Sequence, residues 1–202
     1  MNRIIIMILL GAALLLPIAA AAATVPNAAS DIARQMDEQL MMRYAGPEDP
    51  STPRKQQEAV ARAQIMIMGT TPADINDLNR TSPLARQMTE EVSRWLMDAG
   101  YRYQELRTGK YIRFDRQSGE LILTRDVNRL TSRRGTAPVI LVGTYLVSGA
   151  HVRFSMSLIH CTSREVIAKG AASVPITDDI LGLLEDLRPG SGTVPSTYTR
   201  LQ

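Results

Sequence analysis

Apolar residues recur at helical spacing in some stretches of this chain and at strand spacing in others. From Ser30, the residues Ile32, Met36 and Leu40 repeat every four positions, which puts them on one face of a helix. Ser30 can cap that helix, Asp31 stands in its first turn, and the pattern stops near Tyr44, before Gly46 and Pro47. Residues 24–29 read as a short linker leading into it. Three prolines between 46 and 53 predict a loop, and a short second helix is expected over 56–63. The run Ile65, Met66, Ile67, Met68 ends at Gly69 and is too short for a separate helix, so it reads as a buried strand. A loop rich in Asp, Asn and Thr follows over 70–81.

The clearest helix comes next. Ser82 caps it, Pro83 takes its first position, and Gly100 ends it. Leu84, Met88, Val92, Trp95, Leu96 and Ala99 form its apolar stripe, while Arg86, Glu90, Glu91 and Arg94 fall largely elsewhere. Residues 101–106 read as a second strand, which makes a strand-helix-strand crossover with both strands parallel in one sheet. Residues 111–124 suggest two short strands around a turn at Gln117, Ser118 and Gly119, and Asp126 can cap a short helix to 133. Residues 138–147 are apolar and β-rich, and Ser148, Gly149 and Ala150 turn the chain. Val152, Phe154, Met156 and Leu158 then alternate with Arg153, Ser155 and Ser157, the pattern of a half-buried strand. After a turn at 161–163, the glycine and alanines of the last strand, 164–174, suggest close packing or an edge bulge. A final helix is expected over 177–187.

The fold class expected is α/β (α+β): a mixed β-sheet with a βαβ unit followed by an antiparallel meander, and helices packed on the sheet. The organisation expected is a leader at 1–23, a helical segment with its proline-rich loop at 24–62, an α/β domain at 63–187 and a flexible tail at 188–202. The leader carries Arg3, an uncharged apolar stretch over 4–18, and small residues at Ala21 and Ala23. That is the layout of a secretory signal, with cleavage expected between Ala23 and Thr24. A retained anchor is the alternative, since the apolar length just suffices to span a bilayer. No cysteine precedes Cys161, so a lipid-bearing N-terminal cysteine is not expected. The expected location is the periplasm, with outer-membrane association through a partner.

Charge and chemistry then narrow the function. The 202 residues hold 23 basic and 20 acidic side chains, a formal net charge of +3, and no basic run exceeds two residues. No nucleic-acid partner is expected. One cysteine forms no internal disulfide and supplies too little for a zinc site. Phosphate-binding glycine loops and the nucleophile elbow are absent. His151 and His160 fall at opposite ends of one predicted strand, about 30 Å apart at strand rise, too far to share a metal. His160 and Cys161 are adjacent and point to opposite faces. The acidic pairs Glu90–Glu91 and Asp178–Asp179 diverge around a helix, and the second suits a helix N-terminus. Tyr101, Tyr103 and Tyr111 read as packing, with an aromatic ligand platform as the alternative. Arg133–Arg134 reads as solvated. No catalytic residue, metal or cofactor is expected, and the chain is not expected to be an enzyme.

Four ordered blocks resemble the FlgO family of flagellum-associated outer-membrane proteins. The first is Asp77-Leu78-Asn79-Arg80-Thr81-Ser82-Pro83-Leu84-Ala85, leading into the long helix. Then come Gly100-Tyr101-Arg102, Leu121-Ile122-Leu123-Thr124-Arg125-Asp126, and Val142-Gly143-Thr144-Tyr145 with the hairpin that follows. The resemblance covers roughly residues 63–175. It implies a fold similar to small periplasmic assembly domains such as the amino-terminal domain of TolB. It also implies a non-enzymatic structural or assembly role, with protein partners in the flagellar basal body or envelope. A homo-oligomer is plausible on the same grounds, and membrane contact is only indirect if the leader is cleaved. Within the blocks, Gly143 can permit close packing, Asp126 can cap a helix, Arg125 can pair with an acid or face a partner, and Thr144 and Tyr145 complete the strand motif. The alternatives are a general envelope assembly or secretion factor, and then a small-ligand binder or enzyme.

Overall fold

The computed structural model describes residues 24–106, 112–114, 121–123 and 137–184. The chain enters through helix α1 (Val25–Tyr44). The linker expected at 24–29 is instead the start of this helix. The Thr24 side chain, not that of Ser30, accepts from the Asn27 N–H at 3.4 Å, and Val25, Ala28 and Ala29 are buried. The physical reason is local: alanine is the best helix former, and proline is tolerated in the first turn, where its missing N–H has no intrahelical partner to lose. The loop of 46–53 leads to α2 (Arg54–Gln64), which runs directly into strand β1 (Ile65–Gly69). A two-residue strand, β2 (Ala73–Asp74), interrupts the segment expected to be loop.

Helix α3 (Pro83–Asp98) begins as its sequence dictates, with the Ser82 hydroxyl accepting from the Ala85 N–H at 3.2 Å. It ends where Gly100 adopts a φ of +101°, a left-handed conformation that glycine takes without steric cost. Strand β3 (Arg102–Glu105) returns parallel to β1, with Ile67 opposite Tyr103. Strands β4 (Ile112–Phe114) and β5 (Leu121–Leu123) form a separate antiparallel pair. The long strands β6 (Ala137–Ser148), β7 (His151–His160) and β8 (Val166–Pro175) form the meander, and α4 (Asp178–Leu184) follows. The main sheet runs β3-β1-β6-β7-β8, with β2 beside the far half of β6. β1 and β2 both pair parallel with β6, whereas β6–β7 and β7–β8 are antiparallel. The mixed sheet, its βαβ unit and its meander are therefore as expected.

The expected turn at 117–119, the Asp126 helix, Arg133–Arg134, the leader and the tail lie outside the described residues.

One face of the sheet carries the main core. Ile65 and Ile67, Val139 and Leu141, and Val152, Phe154, Met156 and Leu158 meet α1 and α3 there. The Tyr145 and Phe154 rings sit 5.8 Å apart and tilted by 38°. Fully burying a large side chain such as Ile32, Met36 or Leu40 stabilises by about 1.5–3 kcal/mol each. The opposite face holds a smaller cluster of Met68, Ile140, Val142 and Cys161.

Candidate functional site

Of the sequence-predicted site residues, the described ones fall on two elements, the start of α1 and the middle of β6. Ala23, Arg125 and Asp126 lie outside the described residues, and Thr24 is the cap of α1. Gly143, Thr144 and Tyr145 sit mid-strand on β6, where β2 joins: Thr144 lies opposite Ala73, and the Tyr145 carbonyl accepts from the Ile75 N–H at 3.0 Å. A Cβ on Gly143 would stand 3.0 Å from both the Met156 side chain and the Ser155 carbonyl oxygen, so this glycine serves close packing. Tyr145 is buried against Phe154. As laid out in this strand, the motif organises the sheet.

Several residues of the types that carry chemistry elsewhere have structural roles here. His151 and His160 stand at the two ends of β7. His160 uses Nδ1 to accept from the Ser163 N–H at 3.2 Å, which closes the turn into β8. Cys161 is buried, and burial pushes its thiol up to about 11; a thiol that stays protonated at neutral pH is a poor nucleophile. Tyr101 is buried, and its hydroxyl donates to Asp37 at 2.7 Å. Burial first, and that bond second, raise its pKa. Tyr103 takes a different course, its ring lying over Gly69, where no Cβ would fit. Both tyrosines pack into or against the main core with different polar surroundings, and Tyr111, the third of the set, lies outside the described residues. Among the described residues, no group of three His, Cys, Asp or Glu side chains could hold a metal.

Two polar constructions were not read from the sequence. The first joins α1 to the sheet. Asp37, only 8% exposed on the inner side of α1, accepts two bonds from Arg62 at 2.8 Å each. The bond to Asp37 is the main reason the Arg62 pKa is raised. On the outer edge, Gln35 and Gln39 clip the free side of β8. The Gln35 amide donates to the Ala171 carbonyl and accepts from the Ala171 N–H, both at 3.1 Å. Gln39 repeats this at Lys169, at 2.6 and 3.0 Å. Each amide thus makes the paired bonds that a neighbouring strand would make. One turn further on, Arg43 meets Glu165 at 2.7 Å. The approach is close because Gly170 lacks a side chain: a Cβ there would stand 2.5 Å from the Ile32 carbonyl oxygen. Asp37 was the one legible signal, a charged residue within an otherwise apolar helical stripe.

The second construction is a cavity of about 390 Å³ where β1 and β3 end against α3. Thr70, Thr71, Arg86, Glu90, Ser93 and Tyr103 are among its walls. Its size suits a small molecule. The Tyr103 hydroxyl beside it is buried and makes no hydrogen bond of good geometry. Burial is the main cause of its raised pKa, which the nearby Ser93 hydroxyl partly opposes. Its walls carry the Thr70, Thr71, Thr89 and Ser93 hydroxyls beside the charged groups of Arg86, Glu90 and Glu105, and no histidine or cysteine is among them.

Comparison with known proteins is informative at the level of family. Among solved structures, the C-terminal domain of LpoB from Salmonella enterica is similar at 11% identity, covering 73% of this chain and 98% of that one, with a TM-score of 0.40. Lipoprotein GNA1162 from Neisseria meningitidis is similar at 16% identity, covering 60% and 90%, with a TM-score of 0.36. No curated protein matches the chain. The family model described as FlgO protein matches residues 52–179, from the proline-rich loop through the whole sheet, and the chain therefore belongs to the FlgO family.

Proposed function

We propose that this protein is an exported, non-enzymatic accessory protein of the bacterial flagellum. It works in the periplasm at or near the outer membrane, in a structural or assembly role. The observation that carries the reading is the FlgO match over 52–179. The disposition of its reactive groups supports it: Cys161 is buried and protonated, His160 closes a turn, and Tyr101 and Asp37 brace a helix. Such a molecule contributes surface to an assembly rather than turnover. The leader is removed between Ala23 and Thr24, which leaves Thr24 as the cap of α1. The partners are basal-body or envelope proteins.

Deleting the gene and scoring swimming and flagellation tests this. Impaired motility, or flagella lost or misplaced, is expected; unchanged swimming with normal flagella would overturn it. The cavity between β1, β3 and α3 favours a second reading, a binder of a small polar molecule. Heat stabilisation by a ligand from an envelope extract, abolished by Arg86→Ala, would favour that reading over the first.

A further inference from the structure

The family match begins at residue 52, so α1 lies outside it, yet α1 fills a groove in the family's sheet. That groove is specific. It takes the side chains of Ile32, Met36 and Leu40, all fully buried, and needs glycine at 170 to let the helix backbone approach. It offers the backbone of Lys169 and Ala171 to two glutamines one turn apart, and it offers Arg62 to Asp37. Every one of these contacts is to a residue beyond the connecting loop, and none depends on which copy of the chain supplies the helix.

The connection is suited to reach across. Residues 46–53 hold three prolines and are exposed apart from Thr52, and Gly46 turns the chain there with a φ of +71°. Proline-rich segments favour extended, semi-rigid conformations. Eight residues fully extended span up to about 28 Å, close to the roughly 30 Å length of a twenty-residue helix such as α1. Opening the loop would break few bonds: the Arg54 donation to the Gly46 carbonyl at 3.0 Å, and the bonds around Asp49. Exchange of an identical element between copies regains every other contact.

We propose that α1 is exchanged between copies, the groove beside β8 of one molecule being filled by α1 of the next. Passed from copy to copy, the contact is head-to-tail, the kind that builds rings or filaments. The inference rests on the structural role proposed above for its purpose. Its test reads chain connectivity and not motility, so either idea can fail alone.

Two single variants of the full chain make the test, Arg43→Cys and Glu165→Cys. Both sites are exposed and face each other across the groove, and the buried Cys161 stays in place. The two proteins, tagged to differ in mass, are co-expressed so that the chains mix before they assemble, and are then treated with a short bis-maleimide. Exchange predicts a covalent heterodimer joined between positions 43 and 165, and its loss when Arg43→Cys is replaced by Ala59→Cys on the exposed side of α2. The Arg43→Cys/Glu165→Cys double variant guards against a folding failure: it must cross-link whether or not exchange occurs. Cross-linking only within double-variant monomers, with no heterodimer from the mixed singles, would overturn the proposal.

Discussion

Helices α1 and α3 lie side by side on one face of the sheet, both with apolar stripes in the same core, but they are held in different ways. α3 is the crossover between two parallel strands, so chain connectivity delivers it to the sheet at both ends. Its inner surface is Leu84, Met88, Val92 and Leu96, while Arg86, Glu90 and Arg94 face outward. To burial and the Ser82 cap it adds a long hydrogen bond, from the Thr89 hydroxyl to the Thr70 carbonyl at 3.5 Å. α1 is tethered at one end only, among the described residues, and lies along the open edge strand β8. Apolar burial alone would let it slide or rotate along that edge. Its place is fixed by bonds with direction: Gln35 at Ala171, Gln39 at Lys169, and Asp37 at Arg62 and Tyr101. A helix delivered by connectivity can rely on nondirectional forces, whereas one docked on an edge requires specific polar contacts.

The sharpest way to break this comparison is Gly170→Val. The new Cβ would collide with the backbone of α1, not with a movable side chain, and should cost about 3 kcal/mol of unfolding free energy in urea denaturation. Gly182→Ala, in open space on α4, should instead stabilise by about 0.5 kcal/mol. Equal effects at the two glycines would show that α1 is not seated on β8 as described.

Asp37→Ala comes next. It leaves Tyr101 without its acceptor and Arg62 with Glu58 at 3.4 Å in place of its two shorter bonds, a loss of about 2–3 kcal/mol, moderated because Arg62 keeps that partner and some solvent contact. Hydrogen exchange should rise first in α1 and leave α3 protected. The double change Gln35→Ala/Gln39→Ala should cost less, about 1–2 kcal/mol, because water can reach part of the freed edge. Its more telling signature is self-association, read by light scattering, since an unclipped edge strand invites pairing.

The last effect is absent at neutral pH and develops only in alkali. The folded-state pKa of Tyr101 is raised above its unfolded value. Its contribution is therefore intact below pH 10 and lost as pH rises beyond it, by about 1.4 kcal/mol per pH unit. Tyr101→Phe should flatten the stability profile above pH 10. A parallel loss in wild type and variant would sink the assignment. Some slope will remain, because burial also raises Tyr103 and Cys161.

Much of the fold was legible. The stripe of α3, its Ser82 cap and its Gly100 stop set that helix within a residue or two. The alternation from Val152 to Leu158 set β7 and its buried face. What failed was local as well as long-range. The alanines around Pro26 read as a linker because they lack large apolar side chains, although they are strong helix formers and are buried. β2 was missed because two residues carry no periodicity; it exists only because β6 extends past β1 and offers a free side.

The amino-acid sequence by itself determined the elements, their buried faces and the family, because periodicity, caps and turn residues act within a few positions of one another. Only the tertiary structure decided that α1 closes the β8 edge, that Gly170 is the contact point, and that Asp37 answers Arg62. Gln35 and Ala171 are 136 positions apart, and at that separation nothing in the local pattern of either residue encodes the other. Their pairing is set by where the sheet brings β8, and by a glycine small enough to let a helix lie against it.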